Sequence, residues 1–335
     1  MPDKPVAIVV GASRGIGRQV AIDLAANGYA VVVAAKSTTT TTSPAGPAAA
    51  AAATSFPPDP DSPQSTISTV AREITLRGGQ ALAVPVDVRY PQSIEALVAQ
   101  TISTFGRLDV LVYNAGAIYW ASVANTPLER FQLMQRVNPE GLYAAVQFCL
   151  PHFSAARGDS AADDDGDDAA RARGAAGRII VVSPPIYSRF FRGKTAYAMG
   201  KVGMSVLTKG LAMDFARDGA ADMAICSIWP AVAIRSAATA RFTATDAAEA
   251  AHLRKPTIFS DAILGMLRAP ASLVNGQLFL DEDFLRDHCR VTDFAQYSVV
   301  PGARPRRIMP ARLPDLTVAE QDDEGQRIDL ARSKI

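Results

Sequence analysis

Val6-Ala7-Ile8-Val9-Val10-Gly11-Ala12-Ser13-Arg14-Gly15-Ile16-Gly17 is the stretch that decides the fold. Its first five residues are an unbroken apolar run, the pattern of a strand buried on both faces of a parallel sheet. The glycines follow at once with the spacing Gly-x3-Gly-x-Gly. Gly15 to Asn27 then reads as a helix, with Ile16, Val20 and Leu24 on one face. A glycine turn between a buried strand and a helix lets the backbone approach a dinucleotide pyrophosphate. The helix N-terminus turns free N–H groups and partial positive charge toward it. Gly11, Ser13, Arg14, Gly15, Ile16 and Gly17 are the expected contacts.

Outward from this turn, short apolar runs alternate with amphipathic stretches, the signature of βαβ units. Strands are expected at Ala30–Ala35, Ala81–Val86 and Leu108–Val112, and helices at Ile67–Arg77 and Pro91–Phe105. Further on, Leu128–Pro151 reads as one long helical region. Arg178–Ser183, Met223–Trp229 and Gly276–Leu280 read as strands, and Thr195–Asp218 and Pro256–Leu267 as helices. Two insertions break the rhythm. Residues 37–65 hold threonine and alanine runs with many prolines, and residues 158–177 hold an aspartate cluster. Neither composition buries enough to offset ordering entropy, so mobile, solvated loops are expected. The domain proper is expected to end near residue 290, with 291–335 an extended tail, wrapped on the domain or disordered.

Composition excludes some classes. The chain has 335 residues and a net charge of +1, so no strong field draws it to nucleic acid or an anionic membrane. Apolar runs stop short of the about 18 residues that span a bilayer, and the N-terminus enters a strand with no secretory pattern. Cys149, Cys226 and Cys289 fit neither a metal site nor a disulfide framework, so a reducing compartment is expected. The chain ends Ser333-Lys334-Ile335, a near match to the Ser-Lys-Leu peroxisomal signal.

The chemistry sits on Tyr197 and Lys201. Four residues apart on a helix, they share a face, and a neighbouring ammonium favours the phenolate. Tyr197 fits the role of proton donor to a carbonyl during reduction and acceptor during alcohol oxidation, with Lys201 lowering its pKa and bonding the nicotinamide ribose. Ser183, ending a strand, fits a hydrogen bond to the substrate oxygen or a strand-end turn. Asn138, before Pro139, fits either a water that relays protons to Lys201 or a helix kink. For the cofactor, the second strand ends Ala34-Ala35-Lys36-Ser37 with no acid to repel a 2′-phosphate, and Lys36 and Arg14 can reach one. NADP(H) is therefore favoured over NAD. Asp87 fits an adenine-amino acceptor or a strand-end cap. Asn114, in Asn114-Ala115-Gly116, lies where the cofactor must pass and can tie neighbouring strands together.

These motifs, in this order, resemble the short-chain dehydrogenase/reductase family: Gly-Ala-Ser-Arg-Gly-Ile-Gly at 11–17, Asn-Ala-Gly at 114–116, Asn138, Ser183 and Tyr197-x3-Lys201. The resemblance runs over about residues 5 to 285. It implies an α/β fold, a single Rossmann-type doubly wound parallel sheet, and an oxidoreductase that is usually a homodimer or homotetramer. Ser183-Pro184-Pro185, Tyr197-Ala198-Met199-Gly200-Lys201 and Trp229-Pro230-Ala231-Val232-Ala233-Ile234 resemble more narrowly the hydroxysteroid dehydrogenase-like protein 2 branch. That branch implies peroxisomes, an import receptor for Ser333-Lys334-Ile335, and lipid metabolism, otherwise a cytoplasmic enzyme. The sterol-carrier domain of some members is not expected after residue 290. Three departures stand out. Ser183 precedes Tyr197 by fourteen residues, one more than the common spacing. Pro230, over the nicotinamide, is followed by Ala231 in place of glycine. Ser236 to Lys255, the usual substrate lid, is alanine-rich. The expected activity is NADP(H)-dependent interconversion of a carbonyl and an alcohol on a lipid or other apolar small molecule. The alternative is a cofactor-binding sensor or scaffold with little turnover.

Overall fold

In the computed structural model the apolar runs become seven parallel strands: β1 (Val6–Val10), β2 (Ala30–Ala35), β3 (Gln80–Pro85), β4 (Val110–Tyr113), β5 (Arg178–Val182), β6 (Ala224–Trp229) and β7 (Leu278–Leu280). The structure describes residues 4–38, 56–154 and 177–314; Ser333-Lys334-Ile335 and nearly all of the 158–177 insertion lie outside them. Strand order is β3-β2-β1-β4-β5-β6-β7. The order reverses beside β1, which pairs with β2 through Val9–Val33 and with β4 through Val9–Val112. A crevice opens outside the strand ends at such a reversal.

Side chains alternate along each strand, so β1 sends Ala7 and Val9 to one face and Val6, Ile8 and Val10 to the other. Helices α1 (Gly15–Ala26) and α2 (Ile67–Leu76) cover the first face. Helices α3 (Pro91–Phe105), α4 (Leu128–Gln135) and α5 (Gly141–Ser154) follow in the chain, and α3 and α5 cover the second. Helix α6 (Thr195–Arg217) joins the second layer through Met204, Ala212 and Phe215. After the short α7 (Ala240–Thr245), α8 (Thr257–Arg268) completes the first layer. The result is the Rossmann-type doubly wound sheet that the sequence predicts.

Three local readings change. The region 128–151 is not one helix: α4 and α5 are separated by a π turn at Arg136–Glu140. Pro139 has no N–H to continue the helical ladder and its ring crowds the preceding turn, so the backbone widens there. The Tyr113 hydroxyl donates to the Val137 carbonyl at 2.6 Å, satisfying an acceptor inside the turn. Second, part of the 37–65 insertion is docked. Gly15 N–H donates to the Pro60 carbonyl at 3.0 Å, and the Ser65 hydroxyl to the Ser13 carbonyl at 2.6 Å. Residues 39–55 lie outside the described set.

Third, a helix follows β7 where none is read from the sequence, and residues 291–314 take the wrapped form of the two that the sequence leaves open. Helix α9 (Ala271–Val274) precedes β7, and α10 (Asp281–Cys289) follows it directly. Residues 291–314 then fold back. Arg254 donates to Glu282 at 2.7 Å and to Ser298 Oγ at 2.9 Å, and Arg307 grips Asp283 at 2.6 and 2.8 Å. Ile308 and Met309 N–H both donate to the Ala231 carbonyl, at 2.8 and 3.2 Å. Among the described residues no helix is long and apolar enough to cross a membrane.

Candidate active site

At the strand-order reversal lies a cavity of about 450 Å³. Gly11, Ser13, Arg14, Gly15, Ile16, Lys36, Asp87 and Asn114 all line it. Gly11 holds φ at 85°, and a Cβ there would stand 2.7 Å from the Ala115 nitrogen. Gly17 does not line the cavity. A Cβ there would fall 2.2 Å from the Gly11 carbonyl oxygen and 2.5 Å from Asn114 Nδ2, so this glycine lets α1 press against the turn. Asn114 Nδ2 donates to the Gly11 carbonyl at 3.0 Å, tying β4 to the same turn. The cleft is thus a cradle of backbone whose close approaches exclude side chains. This fits a dinucleotide, although Gly15 N–H is already taken by Pro60.

The charges at its outer end are mostly positive. Lys36 is exposed and Arg14 half-buried. Asp87 is engaged: Arg89 Nε donates to it at 2.9 Å and Arg89 N–H at 3.1 Å. That hydrogen bonding holds its carboxyl below the usual carboxylate range. The adenine-acceptor role would therefore compete with Arg89.

A second cavity, also about 450 Å³, adjoins the first and shares Ile16, Ser236 and Ala238 with it. Tyr197 stands on its wall, flanked by the rings of Trp120 and Phe190, each 6.2 Å away between centroids. Lys201, one turn further along α6, is buried and its Nζ donates to the Val182 carbonyl at 2.7 Å. The expected acidification of Tyr197 is not what the protein alone provides. Burial pushes the phenol above its ordinary value and brings the lysine down to about 7. Desolvation disfavours the charged form of each group. A phenol kept neutral is a proton donor.

Asn138 sits buried on the π turn. Its Oδ1 accepts from Ala117 N–H at 2.8 Å and its Nδ2 donates to the Ala117 carbonyl at 3.1 Å. A Cβ on Gly116 would lie 3.3 Å from Lys201 Nζ and 3.5 Å from Asn138 Oδ1, so the two polar groups face one small gap. Asn138 thus occupies the helix irregularity and stands close to Lys201.

Ser183, like Asn138 and Lys201, stands behind the cavity walls. It is fully buried and lines neither cavity, and its Oγ lies within hydrogen-bond distance, 2.9 Å, of the Ser205 hydroxyl. Ser205 donates its one hydroxyl proton to the Pro184 carbonyl at 2.6 Å.

Pro230 lines the second cavity. The next residue is fixed from both sides: Ala231 N–H donates to Asp281 Oδ1 at 2.8 Å, while its carbonyl holds Ile308 and Met309. Burial pushes the Asp281 carboxyl up to about 7. Several wall residues escaped the sequence reading: Trp120, Tyr187, Phe190, Lys194, His252 and Met309. They come from four separate segments, and none carries a local motif.

Comparison with known proteins agrees with this geometry. The short chain dehydrogenase family model matches residues 60–244. Hydroxysteroid dehydrogenase-like protein 2 of Danio rerio is 32% identical over 88% of this chain, and the chain spans 60% of that relative's length. A dehydrogenase from Xanthomonas campestris shares 32% identity and a TM-score of 0.70 over 95% of this chain and 98% of its own. A short chain dehydrogenase from Mycobacterium thermoresistibile shares 34% identity and a TM-score of 0.70 over 91% and 94%. Motif order, sheet topology and family match agree: the chain belongs to the short-chain dehydrogenase/reductase family, whose members bind a nicotinamide dinucleotide.

Proposed function

We propose that this chain is an NADP(H)-dependent oxidoreductase that interconverts a carbonyl and an alcohol on a lipid or other apolar substrate. The observation that carries the reading is the position of Tyr197, on the wall of an aromatic cavity that adjoins the glycine cleft, with Lys201 buried one turn behind it. A bound nicotinamide dinucleotide supplies the hydride. In reduction, Tyr197 Oη gives its proton to the carbonyl oxygen as the hydride reaches the carbonyl carbon; in oxidation the phenolate takes the proton back. Lys201 stands behind Tyr197 as the next proton carrier, and Asn138 holds the Ala117 backbone at the gap between them. Gly11, Ser13, Arg14, Ile16 and Asn114 would hold the dinucleotide, and Pro230 lines the adjoining cavity. Lys36 and Arg14, with no acid at the end of β2, support a 2′-phosphate. Aromatic walls at Trp120, Tyr187, Phe190 and Trp229 support an apolar substrate.

The test is NADPH and NADH oxidation across a ketone and 3-oxoacyl panel, comparing the wild type with Tyr197→Phe. Turnover that prefers NADPH and collapses in the variant is the expected result; equal use of NADH would remove the cofactor assignment. One observation favours a second reading, a cofactor-binding sensor or scaffold: the Ser183 hydroxyl faces Ser205 instead of the cavity. NADPH binding without tyrosine-dependent turnover would select it. Assembly as a homodimer or homotetramer belongs to the main reading and is tested by light scattering. Peroxisomal import through Ser333-Lys334-Ile335 belongs to it as well. A fluorescent fusion that stays diffuse with and without the tripeptide would exclude that address.

A further inference from the structure

We propose that Lys194 receives a negatively charged group of the substrate, so that the preferred substrates are apolar ketones or alcohols bearing a carboxylate near the reacting carbon. The proposal rests on the oxidoreductase reading above and narrows its substrate class. The walls of the second cavity are chiefly aromatic and aliphatic, and Lys194 is the cation closest in the chain to Tyr197 among them. Its Nζ lies 4.4 Å from the Phe190 ring centroid and 5.4 Å from that of Trp120. Those are the two rings that flank Tyr197. The ammonium is thereby held at the proton-donating end of the cavity.

Nothing among the described residues neutralises it. Among the described residues no carboxylate forms an ion pair with Lys194, and its ammonium stands against the Phe190 and Trp120 rings. Glu249 also lines the cavity without pairing with it. Lys194 caps the N-terminus of α6, where Ser, Thr, Asp or Asn suit the helix and a cation opposes its dipole. Its side chain makes no capping bond. A half-buried cation placed against the helix dipole does little for the fold, but it suits an anion entering an apolar cavity, where charge-assisted hydrogen bonds are strong. Arg306 at the mouth adds a second positive group. His252, on the same wall, has an Nδ1 with no partner.

The test compares a medium-chain gamma-keto acid with its methyl ester, on the wild type, Lys194→Met and Lys194→Arg. Turnover is followed with NADPH. Binding is followed separately by the fluorescence of Trp120 and Trp229, the only tryptophans in the chain, both of which line the cavity. In the wild type the acid should exceed the ester in kcat/KM by about tenfold or more. Lys194→Met should abolish that preference by raising KM for the acid alone, and Lys194→Arg should retain it. Equal losses for acid and ester would assign Lys194 to aromatic packing and overturn the proposal, as would a wild type that binds both alike. If the acid binds in a Lys194-dependent manner yet nothing turns over, the anion site stands and the oxidoreductase reading falls.

Discussion

The two cavities have nearly the same volume and opposite construction. The glycine cleft is built on the turn at the ends of consecutive strands, where a Cβ would fall 2.7 Å from backbone at Gly11 on its wall and 2.2 Å at Gly17 behind it, with Arg14, Lys36 and Asp87 reaching in from the side. The second cavity is walled by large side chains that arrive from residues 118–120, 187–197, 229–253 and 306–309. The first is a property of the sheet, and its glycines leave no room for a side chain. The second is a property of loops and a returning C-terminal segment, and can be altered piecemeal. A cofactor site fixed by topology beside a substrate site fixed by side chains is how one fold supports many specificities.

That contrast can be broken at several points. Tyr197→Phe carries the largest expected effect. It removes the proton donor, so kcat should fall by about 10²–10⁴-fold, while NADPH titration gives an unchanged Kd. A residual rate close to wild type would mean that the proton comes from elsewhere. Next is Gly17→Ala, a single methyl on the cleft side. It should cost about 1–3 kcal/mol in denaturant unfolding and weaken NADPH binding, and a neutral outcome would show that the turn yields where it looks rigid. Arg307→Ala, on the cavity side, cuts the clamp to Asp283 and loosens the wall at Ile308 and Met309. Substrate KM should rise by about 2–5-fold with cofactor Kd unchanged; a matching loss of cofactor affinity would join the two sites.

The smallest effect is on stability against pH. Asp281 titrates near 7 in the folded chain, against 3.8 for a free carboxyl, so the folded state holds its proton more tightly. Its contribution is fully present below about pH 4 and is lost as pH rises through about 7. Lys201 is opposite: with its folded value near 7 against 10.5, its contribution is lost as pH falls through about 7. Asp281→Asn should flatten the decline in melting temperature between about pH 4 and 7 while leaving the rise above 7. An unchanged profile would place the Asp281 titration elsewhere.

How much could be read in advance follows the same division. Strands such as Val6–Val10 and Ala30–Ala35 were legible because a buried parallel strand is a continuous apolar run, and Tyr197-x3-Lys201 because helical spacing alone puts both on one face. The π turn was hidden because the apolar pattern of 128–151 continues through Pro139, and only the proline signals the break. Helix α10 was missed because it is mostly polar. Its signal lay in Asp281, Glu282 and Asp283 in the first turn and Arg286 and His288 in the last, which suit the helix dipole. The docked part of the 37–65 insertion was misread by composition, since two hydrogen bonds to the glycine turn leave no periodic trace. Lys194 had no trace either, because its meaning depends on Trp120 and Phe190, which only folding brings to it.

The hold of the Ala231 carbonyl on Ile308 and Met309 also has a consequence during synthesis. By the time the ribosome has released β6, the glycine turn, Asn138, Tyr197 and Lys201 all exist, but the far wall of the substrate cavity is still some eighty residues away in the message. A nascent chain can therefore gain its coenzyme pocket before it gains selectivity. A change near residue 308 would reshape the wall of the second cavity without touching the glycine turn.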